Sequence, residues 1–135
     1  MSNKPNNILI GGTEVGNDVP PFIIAEMSGN HNQSLECALK IVEAAAKSGA
    51  HALKIQTYTP DTMTLDLDER EFHISDPNNI WTGNSLYKLY GDAYTPWEWH
   101  RPIMERANQL GMVCFSSPFD ETAVDFLEQL DVPAY

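Results

Sequence analysis

Two short β-forming runs, Ile8-Leu9-Ile10 and Thr13-Glu14-Val15, flank Gly11-Gly12. Gly-Gly between β-formers is a hairpin signal. Phe22-Ile23-Ile24-Ala25 follows as a continuous apolar run ending at Glu26. Continuous rather than alternating apolar character predicts a strand buried on both faces, as in a parallel sheet. From Ser34 to Ser48, Leu35, Ala38, Leu39, Val42, Ala45 and Ala46 recur at helical spacing and form one stripe. Ser34 caps the start and Gly49 ends the helix. Glu36–Lys40 and Glu43–Lys47 are i,i+4 pairs on the outer face. Ala52 to Gln56 reads as a second strand.

Residues 57 to 94 break this rhythm. They are irregular and acidic, with Asp66, Asp68, Glu69, Glu71 and Asp76, and they carry Trp81 and a short helix near Leu86 to Tyr90. A connection this long in a compact domain is usually functional or disordered. Thr95-Pro96-Trp97-Glu98 then predicts a helix start, with Thr95 as cap and Pro96 in the first turn. That helix is expected to run to about Leu110, to stop at Gly111 and to kink at Pro102. Met112 to Phe115 is a third strand, ending in Ser116-Ser117. Asp120 caps a helix that turns Ala123, Val124, Leu127 and Leu130 inward, and Val132 to Tyr135 reads as the approach to a fourth strand.

The order is hairpin, then β-α-β-α-β-α. Such alternation implies an α/β fold with a parallel sheet and right-handed crossovers. Three and a half units fit the first half of a (β/α)8 TIM-type barrel, with a doubly wound four-stranded sheet as the alternative. The division expected is a β-hairpin over residues 1–21 and a partial barrel over 22–135, truncated near the fourth strand. Half a barrel exposes strand edges and apolar helix faces, which predicts self-association or poor stability. After the first strand, Glu26-Met27-Ser28-Gly29-Asn30 lacks the G-x-G-x-x-G spacing of a dinucleotide site.

Composition narrows the class further. The chain has 135 residues, 42% of them hydrophobic and 20% charged, which suits one ordinary globular domain. Asp and Glu number 19 against 8 Lys and Arg, for a net charge of -11. Nucleic acid and anionic membrane are therefore poor partners, because both need clustered cations. Cys37 and Cys114 are too few for a disulfide scaffold and point to a reducing compartment. No apolar run approaches the ~20 residues of a membrane helix, and the N-terminus shows no secretory pattern, so a cytoplasmic location is expected.

In a parallel barrel every strand's C-terminal end faces the same rim, and active sites lie there. The first strand brings Glu26 to that rim, followed by Ser28, Asn30, His31 and Asn32. The second brings Lys54, Gln56 and Thr57, and the third Ser116 and Ser117. A carboxylate, an ammonium, an amide and hydroxyls suit a polar anionic small molecule. Lys54 interrupts an apolar strand, so it either pairs with a carboxylate such as Glu26 or binds a ligand, and both readings stand. His31 reads as a loop residue capping the helix region that follows. It shares no metal spacing with His51, His73 or His100, and no complete metal site is found. Cys37 and Cys114 read as packing residues, as do Trp97 and Trp99.

These residues also carry a resemblance. IIAEMSGNHNQS, HALKIQTYTPDTMT, TPWEWH and GMVCFSSPFDETAVDFLEQLDVPAY together resemble the sialic acid synthase family. SGNHNQS and TPWEWH resemble its pseudaminic acid synthase branch in particular. The resemblance runs from about Phe22 to Tyr135. It implies condensation of phosphoenolpyruvate with a 2,4-diacetamido-2,4,6-trideoxyhexose, with an N-acetylneuraminate or legionaminate synthase as alternatives. A non-catalytic sugar- or anion-binding fragment is the alternative outside catalysis. The family's site residues carry over to Glu26 as the acid near the sugar and Lys54 as the holder of phosphoenolpyruvate. They carry over also to Gln56 near the acceptor and to Ser117 and Phe119 beside phosphoenolpyruvate, and Asn30 joins the substrate-binding set from its place on the rim. The family also implies Mn2+ or Mg2+ held by residues beyond Tyr135, a C-terminal antifreeze-like domain and a homodimer. On this reading the complete enzyme is active and the isolated 135-residue chain is not.

Overall fold

The computed structural model describes residues 7–135. Strands β1 (Ile8–Ile10) and β2 (Thr13–Val15) form the expected antiparallel hairpin, with Ile10 opposite Thr13. Gly11 and Gly12 have φ of 55° and 84°. Positive φ at both central positions is the turn whose twist matches the strands it joins. A Cβ on Gly11 would lie 2.5 Å from Val113 Cγ2, so the hairpin turn sits directly against the start of the third barrel strand.

The main sheet is parallel, in the order β3 (Ile24–Glu26), β4 (Ala52–Thr57), β5 (Val113–Pro118). Glu26 stands opposite Lys54, Lys54 opposite Phe115, and Gln56 opposite Ser117. Central β4 is covered as expected, with Ala52, Leu53, Ile55 and Thr57 fully buried. Strand β3 departs from the expected two-sided burial: Ile24 is 42% exposed and Ile23 51%. Its apolar run lies at the sheet's edge, paired with β4 on one side, and continuous apolar sequence does not by itself supply a second neighbour.

Helix α1 (Leu35–Lys47) buries Ala38, Val42 and Ala45 of the predicted stripe, and the Ser34 hydroxyl accepts the Cys37 N–H. Glu36 pairs with Lys40 at 2.6 Å. Glu43 reaches Arg106 on a neighbouring helix at 2.6 Å rather than making the expected pair with Lys47. Within 57–94 the chain forms α2 (Pro60–Met63), a 3-10 turn at Arg70–Phe72, and α3 (Leu86–Ala93). The last is longer than the short helix expected there.

The next crossover helix is α4 (His100–Gln109), entered through a 3-10 turn at Trp97–Trp99. Thr95 does not cap it. Thr95 is 1% exposed and its hydroxyl meets His31 Nε2 at 3.1 Å. Nor does Pro102 kink α4, because it falls in the first turn, where its missing N–H has no partner to lose. Asp120 caps α5 (Glu121–Glu128) as expected, accepting from the N–H groups of Thr122 and Ala123. Ala123 and Leu127 face inward, whereas Val124 is 37% exposed. Residues 132–135 form no strand; Leu130 and Val132 rest on the core. That core joins Met27, Leu53, Ile55, Ile103 and Ala107 between sheet and helices, with Cys114 buried among them. Among the described residues, no helix is long and apolar enough to cross a membrane.

Candidate active site

Glu26 and Lys54 share one register position at the C-terminal end of the sheet. Lys54 Nζ lies 2.8 Å from Glu26 Oε2, and the two side chains remain 34% and 39% exposed. The ion pair, one of the two readings open for Lys54, therefore forms, and it stays open to solvent. One step further up β4, Gln56 Oε1 accepts a long hydrogen bond from Ser28 Oγ at 3.4 Å. Ser117, opposite Gln56, is partly buried. Phe119 is 43% exposed and stands edge-on to Tyr58, with ring centroids 5.3 Å apart.

Thr57 and Ser116 do not join this rim. Side chains alternate across a strand, so the neighbours of Gln56 and Ser117 point to the helix layer. Both are fully buried there. Thr57 Oγ1 lies 2.6 Å from Ser116 Oγ and 2.7 Å from His100 Nε2. Ser116 Oγ also donates to the Ile55 carbonyl, and His100 Nδ1 lies 3.3 Å from the Pro96 carbonyl. With Ser116 donating to Ile55, Thr57 donates to Ser116 and accepts from the His100 Nε2–H. Burial pushes the His100 pKa down to about 4. This network ties the ends of β4 and β5 together from behind the site.

His31 is likewise structural rather than a rim ligand. It is fully buried, and its Nδ1 accepts the Gln33 N–H at 3.2 Å, so Nε2 carries the proton and donates to Thr95. Burial lowers its pKa. The loop around it is held in uncommon geometry: Ser28, Asn32 and Gln33 all have φ near 50°. Gln33 Nε2 donates to the carbonyls of Asp92 and Tyr94, at 3.1 and 2.8 Å, and so fastens this loop to the end of α3. Gly29 packs directly against Ala93. A Cβ there would lie 2.8 Å from the Ala93 carbonyl oxygen, a backbone atom that cannot swing away. Gly29→Ala is expected to destabilise the protein by about 1–3 kcal/mol through overpacking. A thermal melt checks it, and an unchanged Tm would show that the loop is free to move.

The loop and α3 enclose a groove of ≈ 790 Å³. Ser28, Asn30, Asn32 and Gln56 give it a polar wall, and Tyr58, Trp81, Leu89 and Tyr90 an aromatic and apolar one. Asn30 is exposed, with its Nδ2 donating to the Met27 carbonyl at 2.8 Å. Glu26, Lys54 and Ser117 are not among the lining residues. The apolar wall was not singled out from sequence. Its aromatics fall in the stretch 57–94, whose acidic, aperiodic pattern gives no face to read. The one available signal is Tyr58, two places after Gln56 in the strand's alternation. Among the described residues, no three of His, Cys, Asp and Glu come together as a metal set. One rim carboxylate, Glu26, does not by itself make a centre for the divalent metal that the resemblance implies, whose ligands it places beyond Tyr135.

The architecture is thus an α/β chain forming the first part of a (β/α)8 barrel, with polar side chains gathered at its C-terminal rim. Residues 41–135 match the NeuB family, and the chain belongs to that family. It is 50% identical over 125 residues to a pseudaminic acid synthase of Campylobacter jejuni, covering 90% of this chain and 36% of that protein. It is 46% identical to a pseudaminic acid synthase of Helicobacter pylori, covering 86% of this chain and 34% of that one. Its fold matches a crystal structure of N-acetylneuraminic acid synthetase from Leptospira borgpetersenii in complex with citrate. There the TM-score is 0.74 and the identity 25%, over 95% of this chain and 39% of the other. The chain spans about a third of the length of the curated relatives it matches.

Proposed function

We propose that the complete protein is a pseudaminic acid synthase, joining phosphoenolpyruvate to a 2,4-diacetamido-2,4,6-trideoxyhexose. The enol carbon of phosphoenolpyruvate attacks the sugar aldehyde and forms the new carbon–carbon bond, and the aldehyde oxygen becomes a hydroxyl. Water adds at the cationic carbon left behind. Phosphate departs from the tetrahedral intermediate by carbon–oxygen cleavage, giving a nine-carbon 2-keto acid.

The observation that carries this reading is the Lys54–Glu26 pair, set at matched register on the rim and left half open. A buried, saturated ion pair would be a structural element alone, whereas an exposed one can exchange its partner for an anionic ligand. Lys54 would then hold phosphoenolpyruvate as a point charge, with Ser117 donating beside it. Glu26, released from Lys54, would meet the acceptor and move a proton at the former aldehyde oxygen. Gln56 and Asn30 supply donors and acceptors for sugar hydroxyl or amide groups. Phe119 packs against Tyr58 at the edge of the same region. The identity of 50% to a protein named for this product supports the choice of acceptor. The complete protein is read as a cytoplasmic homodimer requiring a divalent metal.

The test is phosphate release by the complete protein with phosphoenolpyruvate, in buffer containing Mn2+ or Mg2+. Release is expected with the diacetamido sugar and not in its absence. A preference for N-acetylmannosamine would transfer the protein to the neuraminate branch. No release with either sugar would refute the catalytic reading.

A further inference from the structure

Along β4 the side chains change character in order. Lys54, paired with Glu26, is ionic. Gln56, beside Ser28, is neutral and polar. Tyr58, just past the strand end, lines the same groove as Gln56 and is aromatic. The path from Lys54 to Tyr58 covers about 13 Å of extended chain. Charge thus lies deep at the rim, amide and hydroxyl groups lie above it, and aromatic surface lies at the mouth.

Tyr58 is anchored. It is 4% exposed, and its ring stands edge-on to Tyr90 with centroids 5.9 Å apart. Burial raises the Tyr58 pKa, so it remains a neutral phenol. Trp97 Nε1 donates to the Tyr58 carbonyl at 3.2 Å and fixes the backbone there. Trp81 and Leu89 extend the same wall. In this chain Trp81 is 37% exposed and its neighbour Ile80 90% exposed. Clustered open apolar area beside convergent polar groups marks a ligand wall.

A sugar hydroxyl set against the ring faces of Tyr58, Tyr90 and Trp81 or against Leu89 would lose its water there, since the polar groups on that side are confined to the phenol and indole edges and Asp92. A methyl group there would be transferred from water to a waiting apolar surface. We propose that Tyr58, Trp81, Leu89 and Tyr90 receive the apolar substituents on the far side of the acceptor, an acylamino methyl or the methyl of a deoxygenated carbon. This wall then selects acylated deoxy sugars over hydroxylated ones. The inference rests on the reading of the protein as a phosphoenolpyruvate-dependent condensing enzyme.

The experiment uses the complete protein with phosphoenolpyruvate and each of two acceptors, a 2,4-diacetamido-2,4,6-trideoxyhexose and N-acetylmannosamine. Trp81→Ala removes an exposed ring from the wall, and Leu89→Asn keeps the branched shape while removing its apolar character. Each is expected to lower kcat/KM for the diacetamido sugar about tenfold or more, within the range that one apolar group is worth in a pocket. The loss should fall on the KM for that acceptor while the KM for phosphoenolpyruvate holds. Turnover of N-acetylmannosamine should fall by much less. Equal losses for both acceptors, or an unchanged preference in both variants, would overturn the inference while the enzyme reading stands. A wild-type protein that favours N-acetylmannosamine overturns it as well. A wild-type protein that releases no phosphate with either acceptor removes the enzyme reading, and this inference with it.

Discussion

Lys54→Met is expected to lower kcat/KM for phosphoenolpyruvate in the complete protein by about a thousandfold, while changing stability by less than about 1 kcal/mol. The two magnitudes come from different environments of the same ammonium. In the free protein, Lys54 and Glu26 are each about one-third exposed, and ion pairs of that kind contribute about 0–1 kcal/mol. With a ligand covering the rim, water is excluded, and truncating one partner of a desolvated charge pair costs about 2–5 kcal/mol. A thousandfold loss corresponds to about 4 kcal/mol at about 1.4 kcal/mol per tenfold. The unpaired Glu26 adds to the loss, since its charge then repels an anionic substrate. Lys54→Arg should not restore turnover, because a planar fork does not replace a compact ammonium at the same point. The double variant Lys54→Met with Glu26→Gln separates ligand binding from a purely structural pair. If the pair is structural, the single variant loses stability and the double variant regains both stability and binding of phosphoenolpyruvate. If Lys54 holds the substrate, the double variant still fails to bind phosphoenolpyruvate. Steady-state kinetics with phosphoenolpyruvate and urea unfolding read the two effects separately.

Acidification is expected to destabilise the fold through His100. The ring is fully buried with Nε2 2.7 Å from the Thr57 hydroxyl, and burial brings its pKa from 6.5 to about 4. Carbonyl contacts at Pro96 and Trp97 and the charge of Glu98 act the opposite way and are outweighed. Above pH 6.5 the ring is neutral in both folded and unfolded protein, and its contribution to stability is complete. Between pH 6.5 and about 4 the unfolded chain takes up a proton that the folded protein refuses, so stability falls as pH falls. Each pH unit in that window removes up to about 1.4 kcal/mol, or about 3 kcal/mol in all. Below about 4 both states are protonated and the slope ends. Urea unfolding across this window should show the wild type losing stability toward acid. His100→Asn should start lower at neutral pH and lose about 3 kcal/mol less. His31, also lowered by burial, remains in both proteins and cancels in the comparison. Parallel pH profiles for the two proteins would show that the ring is not held neutral by the fold.

Ser116 and Ser117 mark how far the chain could be read unaided. They are adjacent, chemically identical and both at a strand end, so sequence places both on the rim. In the fold Ser117 stands opposite Gln56 at the site, and Ser116 lies buried against Thr57 behind it. Gln56 and Thr57 divide in the same way. Alternation says that neighbours part, but on a strand ending in consecutive polar residues nothing in the sequence says which one faces the ligand. Thr95 is a similar case: its position before Pro96 suits a helix cap, and only the folded loop brings His31 within 3.1 Å of its hydroxyl.

The hairpin, the stripe of α1, the cap at Asp120, the three parallel strands and the arrival of Glu26, Lys54 and Gln56 at one end were fixed by local pattern. Each depends on spacing within a few residues, which short-range sterics and apolar periodicity determine. The Lys54–Glu26 contact, the turning away of Thr57, Ser116 and His31, and the aromatic wall built from Tyr58, Trp81 and Tyr90 were decided by tertiary structure. Those features join residues distant along the chain, and strand register, face and loop packing choose among side chains that local chemistry leaves equivalent.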